Sequence, residues 1–360
     1  IEPRPTAAGP MAQAIVITPD GENTLAEGIG TQTNYLDLTN QEILDRIKAA
    51  GIVGMGGAGF PTHVKLTVKD PNKIRYVIAN GAECEPYITC DDQLMQTHAE
   101  EIVTGIEIIL RLFPQAHGVV CIENNKPDAI AAMKAACEGR GRISVMPMKT
   151  KYPQGGERSL ISVVASRHLK LGMLPADAGC VVDNVASIRA VYRAVCLNEP
   201  LMERGFTVSG DSVKNPGNFW VKIGTSSREL VDACGGWNEG LEPEKILSGG
   251  PMMGIPLVNL DVPICKNNNA ITALSVDPVS AAPMTACLRC GRCNRVCPLG
   301  LSPQLMQVAA QHKDYERYEK RLYGLECIAC GCCTYICPAK RPLMQLFKVT
   351  KAEIMATKKR

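Results

Sequence analysis

Apolar residues follow two alternating patterns between residues 35 and 200. Short uninterrupted apolar runs predict buried strands at 75–82, 118–125 and 142–149. Between them, residues 100–113 place apolar side chains three and four positions apart, which is typical of a helix with one buried face. Strands and helices in alternation indicate an α/β unit with a largely parallel sheet.

Capping residues indicate where helices of this unit begin. Thr39 is followed three residues later by Glu42, which predicts a capping box at a helix start. Pro127 stands where a first-turn proline is favoured, at the start of another helix. Two further helices complete the unit, near 156–168 and 184–196.

The pattern changes on both sides of this unit. Residues 1–34 read as a partial β-sandwich-like module, which begins as though partway through a longer protein. Residues 201–265 contain short strands separated by Gly, Asn and Pro, and they predict a small α+β or β-grasp-like domain. We expect a polar linker over 266–285 and a helical domain over 286–360.

Composition narrows the function classes. The 360 residues include 39 basic and 36 acidic ones, for a formal net charge of +3. Interspersed charges of both signs argue against a nucleic-acid-binding surface. No run of 18 or more apolar residues occurs, so we expect membrane association only through partner proteins.

Cysteine spacing carries the strongest chemical signal. Two segments share the pattern C-x-x-C-x-x-C-x-x-x-C-P, which is typical of paired [4Fe-4S] clusters in bacterial ferredoxins. The first cysteine run is Cys287, Cys290, Cys293 and Cys297, and the second is Cys327, Cys330, Cys333 and Cys337. In this pattern the fourth cysteine of each run binds the other cluster. We therefore assign Cys287, Cys290, Cys293 and Cys337 to one cluster, and Cys297, Cys327, Cys330 and Cys333 to the other.

Other cysteine interpretations stay open on sequence grounds. Zinc held by four thiolates is the alternative, although zinc ribbons pair two shorter knuckles rather than repeat a four-cysteine run. Cys332 lies between two ligands and is expected to be a bystander. The eight upstream cysteines lack ligand spacing, and we expect them to be small core residues.

A glycine-rich loop at 51–66 is the second chemical signal. Gly54, Gly56 and Gly59 fit the dinucleotide-binding spacing, but the loop follows a helix rather than a strand, so a plain turn is an equal alternative. Phe60 offers a flat face for stacking, and Lys65 offers a cation for a phosphate or a flavin edge.

A second loop follows the first buried strand. It carries Asn80, Glu83 and Glu85 at the carboxyl end of that strand, where open α/β sheets bind ligands, although a solvated acidic loop is the alternative.

Together these motifs resemble a known family. GMGGAGFPTHVKL, NGAECEPYITCDDQLM, KTKYPQGGERSLI, DNVASI and the two cysteine runs are similar to the C subunit of the Rnf complex, a membrane-bound ferredoxin:NAD oxidoreductase that translocates sodium ions or protons. The glycine loop, the acidic loop and DNV also resemble the flavin-bearing NADH subunit of respiratory complex I. The resemblance implies a fold of three parts: a Rossmann-like flavin/NADH-binding core over 35–200, an SLBB-type domain and a two-cubane ferredoxin domain.

The resemblance implies roles for single residues. Residues implied to line FMN are Gly54, Gly56, Gly57 and Lys65, with Asn80 and Asn184 at its ribityl or phosphate portion. Phe60 would stack on the nucleotide of NADH, while Glu85 and Glu157 would hydrogen-bond its sugar or nicotinamide. Glu83 and Gly155 complete the expected cofactor-binding set. Complex I subunits have arginine where Met55 stands and an acid where Ala82 stands, so contacts through these side chains are not carried over.

The implied function is electron transfer between NAD(H), FMN and two [4Fe-4S] clusters, with no side chain acting as a catalytic acid or base. The expected partners are the other subunits of a membrane-bound Rnf complex, NADH, and a ferredoxin-like donor acting through a partner subunit, at the cytoplasmic face of the bacterial inner membrane. A cobalamin reductase of the propanediol-utilisation type and an electron-wiring scaffold without nucleotide are the alternatives.

Overall fold

The computed structural model describes residues 1–7, 11–277, 279 and 282–358. The strands in these ranges are β1 (Glu2–Pro5), β2 (Met11–Ala14), β3 (Tyr76–Gly81), β4 (His117–Glu123), β5 (Ile143–Met148), β6 (Cys180–Asn184), β7 (Glu203–Ser209), β8 (Gly217–Lys222), β9 (Lys245–Ser248), β10 (Ile255–Pro256) and β11 (Ala270–Leu274). The helices are α1 (Asn40–Ala49), α2 (Thr62–Leu66), α3 (Cys90–Thr97), α4 (Ala99–Leu112), α5 (Pro127–Ala136), α6 (Glu157–Ala165), α7 (Val185–Leu197), α8 (Ser227–Ala233), α9 (Arg292–Arg295), α10 (Pro303–Gln311), α11 (Cys332–Tyr335) and α12 (Leu343–Lys358).

A parallel four-stranded sheet in the order β5-β4-β3-β6 forms the middle of the α/β unit. Successive residues of β3 face opposite sides: Val77 and Ala79 pack in the larger core with α1, α4, α5 and α7, whereas Ile78 packs with α6. Because helices cover both faces, β3 and β4 are largely buried and mostly apolar, as the sequence pattern predicted, whereas the edge strand β5 has exposed positions. The predicted capping box at Thr39 and Glu42 is present and begins α1.

The strand order contains a switch in direction. The chain proceeds from β3 to β4 to β5 on one side, then returns to place β6 on the other side of β3. In open α/β sheets the crevice at the carboxyl ends of such strands is where ligands bind. A ligand site is therefore expected at the carboxyl ends of β3 and β6.

The second sheet is mixed and has the order β10-β9-β11-β7-β8. Its central strand, β11, is parallel to β7, antiparallel to β9 and buried at all five positions. We expected residues 266–285 to be a linker, and the structure differs here. The apolar run Ala270–Leu274 completes the sheet, because its side chains are removed from water in the apolar core around Phe206 and Val208.

The amino-terminal residues form less structure than the expected module. β1 and β2 make a two-stranded antiparallel sheet with mostly exposed side chains. Of the apolar run at 14–18 only Ala14 belongs to a strand, and residues 8–10 of the expected module lie outside the described residues. Backbone hydrogen bonds from Gly30 and Thr33 to the end of α7 attach the segment to the α/β unit.

Helices α9 to α12 surround the two cysteine runs. Their apolar core includes Met306, Tyr318, Leu343 and Phe347. None of the helices in the described ranges is both long enough and apolar enough to cross a bilayer.

Candidate functional site

The carboxyl ends of β3 and β6 lie side by side, with Asn80 paired in register with Asn184. The glycine loop approaches this point from one side, since a Cβ atom on Gly56 would lie 3.2 Å from the Asn184 side chain. The segment before α6 approaches from another side, where the Asn80 amide donates a hydrogen bond of 2.9 Å to the Gly155 carbonyl oxygen. The structure therefore brings together four residues that the sequence had placed far apart.

The glycine loop is held at its base and open at its tip. The Gly54 N–H donates to the Phe60 carbonyl oxygen at 2.9 Å, and the Met55 N–H donates to the buried Ser187 hydroxyl at 2.9 Å. Gly56, Gly57 and Phe60 are exposed. The amide N–H groups of Gly56 and Gly57 have no hydrogen-bond partner within the described part of the chain. Free amides in a glycine-rich turn suit a phosphate or another anion.

Lys65 lies beneath the loop and is partly neutralised. Its Nζ donates to the Val182 carbonyl oxygen at 2.8 Å and to Asp183 Oδ1 at 3.1 Å. Burial raises the pKa of the Asp183 carboxyl, and the Lys65 charge acts in the opposite direction. Asp183 was not among the predicted site residues, although it directly precedes Asn184 in the motif DNV.

The two asparagine side chains hold the local structure. Asn80 Oδ1 accepts the Ala82 N–H at 3.2 Å, and its amide binds Gly155. Asn184 Oδ1 accepts the Ala186 N–H at 2.9 Å and so caps α7. Its amide donates to Asp91 Oδ2 at 2.6 Å. Both residues lie at the site, and both fix its backbone.

Two of the three predicted acids are engaged elsewhere. Glu83 accepts the N–H groups of Asp91 and Asp92 at 2.7 and 3.1 Å, at the start of α3. Burial and the neighbouring Asp91 raise the pKa of Glu83. Glu85 accepts the N–H groups of Met252 and Met253 at 3.1 and 2.7 Å, and it thereby binds the turn that follows β9. Their oxygens are therefore used in fixing backbone rather than left free for a ligand.

Glu157 differs from these two acids. It is exposed at the first position of α6, and its carboxylate has no hydrogen-bond partner in the described ranges. Partial desolvation raises its pKa, while Lys65 and Asp183 act on its charge in opposite directions. Glu157 is thus the predicted acid that remains available at this site.

The residues present fit a cofactor that has both a phosphate and a planar ring. The loop supplies unpaired amides at Gly56 and Gly57, Lys65 supplies a nearby cation, and Phe60 supplies an exposed ring that is 52% accessible. A Cβ atom on Gly57 would have no neighbour within 4 Å, so there is space above the loop. The Met55 side chain is only 3% exposed and packs in the core, so it does not contribute to this surface.

The cysteines converge in two groups, each lining a cavity that opens to solvent. The inner cavity is lined by Cys297 together with Cys327, Cys330 and Cys333, and also by Cys332. The outer cavity is lined by Cys287, Cys290 and Cys293 together with Cys337. The fourth cysteine of each run thus reaches the other group. Each cavity therefore has the four thiols of the ligand template, which fits a cubane cluster in each, and Cys332 is a fifth cysteine at the inner one.

The inner cavity lies against the α/β unit. The Tyr152 hydroxyl donates a hydrogen bond of 2.7 Å to the Cys330 carbonyl oxygen, and Arg158 forms an ion pair with Glu326 at 2.7 Å. By contrast, Cys287 and Cys290 of the outer cavity are exposed. Sequence reasoning missed Tyr152, although it belongs to the quoted motif KTKYPQGGERSLI.

Replacing Tyr152 with phenylalanine should weaken the docking of the helical domain. The substitution removes one hydrogen bond to a carbonyl that is buried between two parts of the chain, at an expected cost of about 1–2 kcal/mol. Thermal unfolding of the cluster-loaded protein measures this cost. Tyr335→Phe is the matched control, because Tyr335 lies in the same cysteine run as Cys330 but its side chain is 62% exposed. Equal effects of the two substitutions would contradict the assigned role.

The upstream cysteines mostly match the expectation of small core residues. Five are buried, namely Cys90, Cys121, Cys180, Cys196 and Cys234. Cys84 and Cys137 are half-buried, and the Cys84 sulfur accepts the Gly155 N–H at 3.2 Å. Cys265 is exposed, so the expectation was wrong there.

Comparison with protein families assigns three parts of the chain. Residues 47–193 match the Nuo51 FMN-binding domain, residues 206–256 match the SLBB domain, and residues 283–338 match a 4Fe-4S dicluster domain. These matches confirm the predicted fold class and the predicted FMN and iron–sulfur cofactors. Two solved structures of an NAD+-reducing [NiFe]-hydrogenase share the fold. The air-oxidised form has a TM-score of 0.56 and 23% identity, and the match covers 72% of this chain and 51% of that chain. The H2-reduced form has a TM-score of 0.61 and 19% identity, and the match covers 90% of this chain and 62% of that chain.

Curated relatives cover nearly the whole chain. The C subunit of the proton-translocating ferredoxin:NAD(+) oxidoreductase complex of Clostridium ljungdahlii is 44% identical over 97% of this chain and 76% of its own length. The Na(+)-translocating counterpart of Acetobacterium woodii is 38% identical over 100% of this chain and 81% of its own length. The C subunit of the ion-translocating oxidoreductase complex of Rhodobacter capsulatus is 42% identical over 97% of this chain and 67% of its own length. The chain therefore belongs to the family of C subunits of ion-translocating ferredoxin:NAD(+) oxidoreductase complexes.

Proposed function

We propose that this chain transfers electrons between NAD(H) and two [4Fe-4S] clusters through FMN, as one subunit of an ion-translocating complex. The segment from Tyr152 to Glu157 carries the proposal, because it contacts both sites. At one end the Tyr152 hydroxyl binds the backbone of Cys330 in the inner cavity. Further along the segment, the Gly155 carbonyl oxygen accepts a hydrogen bond from Asn80 beside the glycine loop. This short segment thus links the candidate flavin site to the candidate cluster site.

Each site residue has a positioning task in this proposal. The amides of Gly56 and Gly57 bind the FMN phosphate, and Lys65 adds a positive charge beneath it. Phe60 stacks on the nucleotide of NADH, and Glu157 accepts hydrogen bonds from its sugar or nicotinamide. When bound, FMN joins the two-electron chemistry of a nicotinamide to the one-electron chemistry of a cluster. The described side chains need only hold the rings in place and exclude water.

The position of the two cavities suggests an order for the electrons. The inner cavity contacts the α/β unit through Tyr152 and through the Arg158–Glu326 ion pair, so its cluster is the neighbour of the flavin. The outer cavity has exposed cysteines, so its cluster is the point of exchange with other proteins. The fourth cysteines, Cys297 and Cys337, connect the two cluster groups through the protein.

The family supplies the setting of the proposal. Relatives are named as subunits of proton- or Na(+)-translocating complexes. We place this chain at the cytoplasmic face of the membrane, bound to the other subunits of such a complex, where NAD(H) is available.

NADH added under anaerobic conditions should bleach the visible absorbance of the clusters. Acid extraction of the same sample should release FMN. In Gly57→Val, whose branched side chain would occupy the space above the loop, FMN content should fall while cluster absorbance persists. A flavin-loaded sample whose clusters stay oxidised with NADH but are reduced by dithionite would contradict the proposal and favour a scaffold.

A further inference from the structure

The two cysteine runs share one template, and three of the positions at which they differ involve arginine. The first run has arginine at all three, and the second run has none. The pairs in equivalent positions are Arg289 and Ala329, Arg292 and Cys332, and Arg295 and Tyr335. The residues common to both runs form the cluster-binding template, whereas the three arginines are particular to the first run.

The backbone does not require the arginines. Arg289 and Ala329 have nearly the same left-handed conformation, with φ of 54° and 53°. The template glycines are also alike, with φ of 73° at Gly291 and 81° at Gly331. Since both copies adopt the same turn, the three arginines serve a purpose outside the loop geometry.

The surroundings of the two loops differ. A Cβ atom on Gly331 would lie 2.7 Å from the Met252 carbonyl oxygen, so the second loop is packed against the SLBB-type domain. A Cβ atom on Gly291 would have no neighbour within 4 Å. Leu288 beside it is 66% exposed. The first loop therefore faces open space with an apolar residue at its tip.

The charge on the open loop is unbalanced. Arg289, Arg292 and Arg295 are exposed, and none forms an ion pair with another described residue. No aspartate or glutamate occurs between Asp277 and Asp314. Arg292 and Arg295 begin and end the short helix α9, three residues apart, so their side chains are neighbours.

We propose that Leu288, Arg289, Arg292 and Arg295 form an arginine surface that docks an acidic one-electron carrier protein. The proposal rests on the proposed function, because it needs a reducible cluster in the outer cavity. Arg289 and Arg292 line that cavity, so a carrier bound to them lies next to the cluster. In one encounter a single electron passes between the two centres: one centre is oxidised, the other is reduced, and no bond is made or broken.

The chemistry of the surface selects this partner. Guanidinium groups pair well with carboxylates, and a small apolar centre inside a charged rim suits a transient complex. Unpaired positive charge attracts an acidic protein over a distance and raises the association rate, in a manner that salt suppresses. The contact should therefore show itself in a rate constant and in its dependence on ionic strength.

The test uses one probe in two charge states. The cluster-loaded, FMN-loaded chain is reduced with NADH and mixed in a stopped-flow instrument with cytochrome c, which is basic, or with succinylated cytochrome c, which is acidic. The triple variant Arg289→Gln, Arg292→Gln, Arg295→Gln should lower the second-order rate constant for the succinylated probe about tenfold at low ionic strength. It should leave the constant for the basic probe unchanged or higher, and added salt should reduce the difference between the two proteins.

A second triple variant controls for net charge. Lys313→Gln, Arg317→Gln, Arg321→Gln removes the same charge from the same helical domain, at exposed positions without ion pairs among the described residues. It should change the rate for the succinylated probe less than about twofold, because these three residues do not line the outer cavity and exposed charges are screened by salt. Iron content and the electron paramagnetic resonance (EPR) spectrum establish that both variants carry their clusters.

Three results would overturn the docking surface. The first is an equal loss of rate in the two triple variants, and the second is an equal loss for both forms of cytochrome c. The third is unchanged rates together with lost binding to phosphatidylglycerol vesicles, which would assign the arginines to lipid. A failure of NADH to reduce the clusters of the unmodified chain would instead refute the proposed function, so the two failures are distinguishable.

Discussion

Replacing Cys297 with alanine is expected to remove the inner cluster, although this residue belongs to the first cysteine run. Cys297 lines the inner cavity with Cys327, Cys330 and Cys333, and no other member of its own run does so. Cubane clusters need four ligands, so the variant should lose the corresponding EPR signal and about half of its iron and sulfide. Because the inner cluster is the proposed neighbour of the flavin, NADH should no longer reduce the outer cluster, whereas dithionite still should.

Cys337→Ala should give the opposite pattern. Cys337 lines the outer cavity, so the inner cluster should remain and should still be reduced by NADH. Cys332→Ala is the matched control, because Cys332 also lines the inner cavity but lies outside the ligand template, and both clusters should survive. If Cys297→Ala instead spared the inner cluster, the crossed ligand assignment would be wrong. If NADH still reduced the outer cluster in Cys297→Ala, the proposed order of electron transfer would be wrong.

Replacing Lys65 with methionine is expected to destabilise the fold by about 3–5 kcal/mol near pH 8, because it leaves a buried carboxylate without its cation. The Asp183 side chain is 1% exposed, and its Oδ2 atom has no partner within the described residues. The Val182 carbonyl oxygen loses a donor in the same variant. Chemical denaturation followed by circular dichroism measures the free energy of unfolding.

The pH dependence of this variant follows from Asp183. Burial already raises its pKa, and removal of Lys65 raises it further. The folded state then binds a proton more tightly than the unfolded state, so the free energy of unfolding falls as pH rises above the ordinary carboxyl value of about 4. The cost of Lys65→Met should therefore be smaller near about pH 5.5 than near about pH 8.

The double variant Lys65→Met, Asp183→Asn controls for the buried charge. Asparagine has nearly the shape of aspartate but cannot ionise, so the double variant should recover most of the stability and lose the pH dependence. If the double variant were as unstable as Lys65→Met at both pH values, packing of the lysine stem would be the cause. The ion pair would then contribute little.

Local features of this protein could be read from the sequence because their causes are local. The Thr39–Glu42 capping box depends on two residues three positions apart, and it was predicted and found. Strands β3, β4 and β5 were predicted because strands of a covered parallel sheet are mostly apolar. Gly56 and Gly57 were expected to line FMN from the family resemblance of the glycine loop, and both residues are exposed with unpaired amides in the described structure.

The partners of two acidic residues could not be predicted from local sequence. Glu83 and Glu85 follow a strand end as ligand-binding residues often do, yet both accept backbone N–H groups, Glu83 from the start of α3 and Glu85 from the turn after β9. Nothing within the motif NGAECEP indicates that residues 91 and 252 will be near. The strand Ala270–Leu274 was missed for the same reason, because its partners, β7 and β9, come from elsewhere in the chain.

By itself, the sequence determined the cluster chemistry of this protein. Thiolates at fixed short spacing are set within about a dozen residues, so the cysteine motif alone predicts [4Fe-4S] clusters, whereas the glycine loop alone was equally consistent with a plain turn. Only the tertiary structure decided how these parts are connected. Packing placed β6 beside β3, directed Tyr152 to Cys330, buried one cysteine loop against Met252 and left its arginine-bearing counterpart open. Such contacts depend on apolar burial summed over the whole chain, which no local spacing records.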